Sequence, residues 1–175
     1  MSAQPSFSRV STRLLVLFLW VVLLAALFAQ LEIQIEGDEG WAASLPTWRI
    51  SGPPIARFLF GGREITGYHI FAFGFMFAAF HLPIALTARA SLRLEARILG
   101  SLMLFWIVED VLWFAMNPAY GLGCLTPRHA PWHPHWVMGV PVDYLVFAVG
   151  STVLLGASFC FRARTGLTRR ESDLP

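Results

Sequence analysis

The chain has 175 residues, of which 56% are hydrophobic and only 14% are charged, and its mean hydropathy is +0.59. Soluble globular domains carry about 25% charged residues, so this composition excludes an ordinary soluble protein and indicates a membrane protein. The formal net charge is +2, and the basic residues form no aromatic-interleaved patch, so no nucleic-acid partner is expected. The length suits one integral membrane domain over residues 1–175.

The first apolar run covers residues 14–30 and follows Arg9 and Arg13. It is just long enough to cross a bilayer as a helix. A secretory signal peptide would also combine a basic start with an apolar stretch and small residues such as Ala29. The run exceeds the roughly 7–15 residues of a usual signal core, which favours a retained membrane helix.

Three further apolar runs cover residues 68–86, 98–116 and 142–161. Each is close to the roughly 20 residues that a helix needs to cross the hydrocarbon region. Helices satisfy their own backbone polar groups in lipid, and no alternating pattern of a membrane barrel is present. We therefore predict an all-α fold, a four-helix transmembrane bundle with two outer loops.

The arginines fall unequally on the two sides of this arrangement. The larger set comprises Arg9, Arg13, Arg89, Arg93, Arg97, Arg162, Arg164, Arg169 and Arg170, and the smaller set comprises Arg49, Arg57, Arg63 and Arg128. Basic residues concentrate in cytoplasmic segments, so both termini and the loop between the second and third runs are expected in the cytoplasm. The expected location is the cell (inner) membrane, with multiple crossings.

The first outer loop opens with residues 31–36, in which apolar and polar residues alternate. Such alternation is typical of a short strand or an extended segment at the membrane surface. Glu36, Asp38 and Glu39 follow, but they lack the ligand spacing of an EF-hand calcium loop. An acidic, solvated turn is the favoured interpretation.

Adjacent carboxyl groups interrupt the third apolar run at Glu109 and Asp110. An Asp at the centre of a membrane helix costs about 2.5–3.5 kcal/mol, so these side chains are expected to face the bundle interior and to find partners. Trp113 and Asn117 follow at helical spacing and extend the same polar and aromatic face.

The second outer loop contains His129, His133 and His135 within seven residues. Neutral imidazoles bind zinc, iron or manganese well, and the prolines between them would limit the flexibility of the loop. The alternative is a loop at the membrane surface, in which Trp132 and Trp136 lie at the level of the lipid headgroups.

Together these residues predict a polar cluster in the outer third of the bundle. The predicted metal ligands are Glu109, Asp110, His133 and His135, which would bind a divalent transition metal (zinc, iron or manganese). Asp143, in the first turn of the fourth run, and His69, near the outer end of the second, are the predicted catalytic residues, which would orient the ligands or act as general base.

One motif spans about the last two-fifths of the chain. It comprises Glu109-Asp110, Trp113-Phe114, Asn117-Pro118, Gly121, Trp132-His133, Trp136 and Pro141-Val142-Asp143-Tyr144. This motif resembles a pattern in uncharacterised prokaryotic multispan membrane proteins. The resemblance implies a shared membrane fold and supplies no catalytic assignment.

Three functions are compatible with these features. The leading hypothesis is a metal-dependent membrane enzyme that acts on a lipid-soluble substrate at the outer face. The second is a transporter, channel or proton-relay subunit in which Glu109 and Asp110 titrate without a metal. The third is a structural or assembly subunit, which small residues such as Gly74, Ala78 and Ala79 would suit by allowing close helix contacts.

Overall fold

The computed structural model describes residues 7–54 and 63–164. Its five helices are α1 (Phe7–Glu36), α2 (Gly67–Phe80), α3 (Leu82–Thr87), α4 (Leu92–Met116) and α5 (Val142–Arg164). Two short antiparallel hairpins pair β1 (Arg49–Ile50) with β2 (Ile65–Thr66) and β3 (Trp136–Val137) with β4 (Val140–Pro141), and a 3-10 turn covers Leu122–Cys124. Arg57, Arg169 and Arg170, which entered the predicted orientation, lie outside the described residues.

Three helices are long and apolar enough to cross a membrane, and they contain the segments Thr12–Glu36, Leu92–Met116 and Val142–Phe159. Large apolar side chains are exposed along them and along α2, among them Leu27, Phe71 and Phe75. Exposed apolar surface of this extent is suited to lipid. The prediction of a helical membrane protein is therefore supported.

The second predicted crossing is divided into two helices. α2 ends at Phe80, His81 forms a turn, and α3 runs from Leu82 to Thr87 with Pro83 in its first turn. Proline has no backbone N–H and its ring clashes with the carbonyl four residues earlier, so it is tolerated in a first turn but not inside a continuous helix. The segment 68–86 is therefore helical but broken.

The first helix extends beyond the predicted crossing. Residues 31–36, expected to be extended, continue α1 to Glu36, so that prediction was wrong. Ala29 and Ile33 lie one helical turn apart and are both buried against α4, and this packing outweighs the local alternation. Gly37 then ends the helix with a φ of +70° and donates its backbone N–H to the Ile33 carbonyl.

Helix α4 lies at the centre, with α1 packed on one side and α5 on the other. One buried cluster joins α1, α2 and α4 through Val21, Ala25, Phe28, Met76 and Phe105. A second joins α1 and α4 to the loop before β3 through Ala29, Ile33, Trp113, Phe114, Ala130 and Trp132. We call the end of the bundle that carries loop 117–141 the histidine end, and the opposite end, which carries Arg13, Arg93 and Arg97, the arginine end.

Helices α4 and α5 approach closely through glycine. A Cβ atom at Gly100 would lie 3.0 Å from Leu155 Cγ and 3.2 Å from the Leu155 backbone nitrogen. Ser101, Ser151 and Ser158 are also buried. Small residues let two helix backbones approach closely where lipid surrounds the pair.

Candidate functional site

His133 lies in the loop between α4 and α5 and is brought over the start of α5 by the β3–β4 hairpin. Met138 and Gly139 form the two-residue turn of that hairpin, both with positive φ, and the Val142 backbone N–H donates to the His135 carbonyl at 2.9 Å. The Trp136 indole N–H donates to the His133 carbonyl at 2.7 Å. These contacts hold a buried imidazole on the side of the loop that faces helices α4 and α5.

The imidazole of His133 lies between two aspartates. Its Nδ1 is 2.9 Å from Asp143 Oδ2 and its Nε2 is 3.1 Å from Asp110 Oδ2. The Tyr144 hydroxyl donates a hydrogen bond to the same Asp110 oxygen. We call these four residues the aspartate–histidine network.

The charge state of His133 follows from these contacts. Burial alone would lower its pKa, but the hydrogen bonds and negative charges of Asp110 and Asp143 outweigh burial and raise the pKa to about 9. The imidazole is therefore protonated at neutral pH, and both ring N–H groups donate to carboxylates.

A second polar group lies beside this network on α1 and α4. Glu32 and Glu109 lie next to each other, and the Tyr68 hydroxyl donates to Glu32 Oε1 at 3.0 Å. Both glutamates line the same cavity as the aspartate–histidine network. Glu32, Glu109 and Tyr68 therefore form a second polar group inside the bundle.

The loop after α1 closes over this group. Glu36 Oε1 accepts a hydrogen bond from the Ala42 backbone N–H at 2.6 Å, while Trp41 and Ala42 both have positive φ values, of 50° and 51°. Non-glycine residues in this conformation cost on the order of 1–3 kcal/mol each, so the surrounding contacts must hold them. The result is that the Trp41 ring lies against His69, with centroids 4.1 Å apart.

The cavity

These polar groups surround one end of a partly open cavity of about 660 Å³. The polar lining consists of Glu32, Glu36, His69, Glu109, Asp110, His133, Asp143 and Tyr144. The apolar lining includes Phe73, Phe77, Leu102, Trp106, Ile107 and Phe147. Helix α4 forms the back wall, and α2 and α5, which do not pack closely on each other, form the sides.

The cavity is polar at the histidine end and apolar farther into the bundle. Along α4 the lining passes from Glu109 to Leu102, and along α2 from His69 to Phe77. At 1.5 Å per residue these segments cover about 10–12 Å along the helix axes. The cavity therefore matches a molecule with one polar end and an apolar body.

Two polar atoms in the lining have no hydrogen-bond partner. Glu109 Oε1, on a side chain that is 4% exposed, and Trp113 Nε1, on one that is 3% exposed, are both buried and unbonded. An unsatisfied buried polar atom costs about 1–3 kcal/mol. One acceptor and one donor, a helical turn apart on α4, are thus left without a protein partner in residues that line the cavity.

The predicted site residues are placed as follows. His133 contacts both Asp110 and Asp143. Glu109 and His69 line the same cavity but are not members of the aspartate–histidine network. His69 is bonded through Nδ1 to the Thr66 hydroxyl at 2.8 Å. His135 is exposed and does not line the cavity.

The structure does not support the predicted metal site. Among residues 7–54 and 63–164, no group of three or more His, Cys, Asp and Glu side chains is placed to hold a metal ion. His133 already uses both ring nitrogens in bonds to aspartates. His133 and His135 do not converge, because His133 is buried between the two aspartates whereas His135 is exposed and lies away from the cavity.

Sequence reasoning missed Glu32, Glu36 and Tyr68. The acids were assigned to an extended loop, although Glu32 and Glu36 are four residues apart and continue the helical spacing of Ala25 and Ala29. That spacing was the available signal. For Tyr68, nothing in the sequence indicates its contact with Glu32, a residue 36 positions earlier.

Comparison with known proteins adds no family assignment. No protein-family model, curated protein or solved structure matches this chain.

Proposed function

We propose that this chain is an integral membrane protein that crosses the bilayer four times, with both termini in the cytoplasm and the histidine end at the outer face of the cell membrane. Three helices meet the length required of a crossing. The pair α2 and α3 covers residues 67–87, which at 1.5 Å per residue comes to about 30 Å, the thickness of the hydrocarbon region. The excess of arginine at the arginine end supports this orientation.

Its proposed function is that of a membrane enzyme that performs acid–base chemistry on a lipid-soluble substrate bound in the cavity. The observation that carries this proposal is the position of His133, held between Asp110 and Asp143 in the wall of a largely apolar cavity. Ionisable residues within membrane proteins are expensive, and they are usual at proton paths, ion sites and catalytic sites. His133 would hold the proton, and the carboxylate of Asp110 or Asp143, each of which accepts one ring N–H group and lines the cavity, would pass it to the substrate.

The cavity also supports a substrate class. Its volume lies within the roughly 300–1,000 Å³ of small-molecule sites. A hydroxyl group could both donate a hydrogen bond to Glu109 Oε1 and accept one from Trp113 Nε1. A quaternary ammonium can do neither, and a phosphodiester can only accept. The many carboxyl groups disfavour an anionic head, so the proposed substrate is a lipid-soluble alcohol or a similar uncharged amphipathic molecule.

The experiment is a conversion assay in lipid nanodiscs with a neutral-lipid extract, read by mass spectrometry. Wild-type protein should convert at least one component of the extract. His133→Asn should lower the rate by about 100-fold or more, the usual contribution of a general acid. His129→Asn is the matched control, because His129 lies in the same loop, is exposed and is bonded to Thr126. An unchanged extract, or equal rates in both variants, would contradict the proposal.

A proton-relay function is the second candidate, and one observation favours it. Glu32 and Glu109 lie next to each other in the cavity wall inside the bundle, as carboxyl groups in proton pathways do. In liposomes with an imposed pH gradient, a relay would dissipate the gradient and Glu109→Gln would block this. An enzyme would leave the gradient intact while converting lipid.

A further inference from the structure

A second cavity, of about 460 Å³, lies at the arginine end between α1, α4 and α5. It is lined by Arg13, Val16, Leu17, Trp20, Arg97 and Phe159. None of these residues takes part in the aspartate–histidine network or lines the first cavity. The second cavity thus combines two cations with an apolar wall.

The two arginines have no anionic partner within residues 7–54 and 63–164, where every ion pair involves a histidine. The Arg97 Nε atom is buried without a hydrogen bond, and its guanidinium carbon lies 4.7 Å from the centre of the Phe159 ring. Arg93, one helical turn earlier, is instead satisfied by the Ser158 carbonyl at 2.7 Å. Two cations gathered in one cavity, one of them with an unsatisfied donor, favour an anion between them.

The position of the cavity indicates which anion. Arg13 and Arg97 each stand immediately before an apolar run, so both lie at the boundary between the hydrocarbon and the headgroups. From Arg13 the apolar wall continues along α1 to Trp20, seven residues and about 10 Å farther into the hydrocarbon. A phosphate at the arginines with a hydrocarbon chain along this wall would fill both parts of the cavity.

We propose that this cavity is a binding site for one anionic phospholipid of the cytoplasmic leaflet. The phosphodiester accepts hydrogen bonds from Arg13 and Arg97, and an acyl chain lies along Val16, Leu17 and Trp20. Arginine suits this role because its planar fork bonds two phosphate oxygens at once. The site rests on the proposed orientation in the membrane and is independent of the chemistry at His133.

Native mass spectrometry of the detergent-solubilised full chain, with equal amounts of phosphatidylglycerol and phosphatidylcholine, tests the proposal. Wild-type protein should retain one phosphatidylglycerol with a preference of about tenfold or more over phosphatidylcholine. The double variant Arg13→Gln with Arg97→Gln should lose that preference. Arg89→Gln is the control, since Arg89 is exposed, lies in the same cytoplasmic segment and does not line the cavity.

Two outcomes would overturn the site: no preference in the wild type, or an equal loss in Arg89→Gln. Arg97→Lys keeps the charge that sets orientation but loses the fork, so it should weaken the preference several-fold even if the double variant fails to fold. An unchanged preference in Arg97→Lys would contradict the proposed contact. Displacement of the lipid by inorganic phosphate at equal concentration would show a site for free anions and refute the lipid assignment.

Discussion

At the histidine end of the bundle, five carboxyl groups and two histidines border a cavity, whereas in the half nearer the arginine end α4 and α5 approach closely around Gly100. The first region keeps groups that are expensive to place in a membrane protein. The second uses glycine and serine to bring the backbones of α4 and α5 close together.

The difference separates residues that hold the fold from residues that are available to a ligand. At Gly100, the three atoms nearest to an added Cβ belong to Leu154 and Leu155 of α5, so an alanine side chain there would press against a neighbouring helix. At the cavity, Glu109 Oε1 and Trp113 Nε1 meet no protein partner. Sites that break the local rules of folding are usually functional, and this contrast supports the proposed function at the histidine end.

The largest expected effect concerns pH and stability at the histidine end. The pKa of His133 rises from 6.5 to about 9 because the contacts with Asp110 and Asp143 outweigh burial. The protonated form is therefore favoured in the folded state, and its stabilisation is fully present below about pH 6.5 and lost as the pH rises through about 9. The upper limit is about 3 kcal/mol. Thermal unfolding in detergent should show this loss between those pH values.

The variant His133→Asn isolates this contribution, because it removes the imidazole whose charge changes over this pH range and leaves the rest of the sequence unchanged. The difference in unfolding temperature between wild type and variant should shrink as the pH rises from 6.5 to 9. A difference that stays constant over this range would mean that His133 is not held as an imidazolium.

A smaller effect is expected at the glycine contact. In Gly100→Ala, the new methyl group would press on Leu155, including its backbone nitrogen, which cannot rotate away. Overpacking of this kind costs about 1–3 kcal/mol, measured as a fall in unfolding temperature. Gly156→Ala is the matched control on α5, since nothing lies within 4 Å of its Cβ and alanine favours helix. Equal behaviour of the two variants would refute close packing at Gly100.

The smallest effect is expected for Glu109→Gln. The neutral amide of glutamine has the shape of the glutamate carboxyl group and can donate a hydrogen bond to the neighbouring Glu32, so folding should be maintained. The expected change in unfolding free energy is below about 1 kcal/mol at pH 7. Glu39→Gln, at an exposed position after α1, is the control. A loss of more than about 2 kcal/mol in the first variant alone would indicate that the charge of Glu109 holds the fold.

The contrast between the two regions also explains what could be predicted from the sequence. The runs that became α4 and α5 were predictable because apolar length alone decides a membrane helix. The polarity of Glu109 and Asp110 was equally plain, and both line the cavity. These features depend on composition along a single segment.

Features that depend on contacts between distant segments were not predictable. His133 and His135 look equivalent in sequence, yet only His133 reaches Asp110, because the hairpin turn at Met138 and Gly139 decides which side faces the bundle. The end of α1 was also missed, because burial of Ile33 against α4 overrides the local alternation of residues 31–36. Tertiary packing determined each of these positions.

The most direct test of the central claim is photolabelling with a long-chain alcohol that carries a diazirine in its chain. Helix α2 provides an internal comparison, because Phe73 and Phe77 line the cavity, whereas Phe71 and Phe75 do not line it and are more exposed, at 71% and 68% against 36% and 50%. Our account predicts saturable labelling at Phe73 or Phe77, reduced by unlabelled alcohol, beside unsaturable background at Phe71 and Phe75. Labelling of all four positions in proportion to alcohol concentration, without competition, would contradict a substrate cavity at the histidine end.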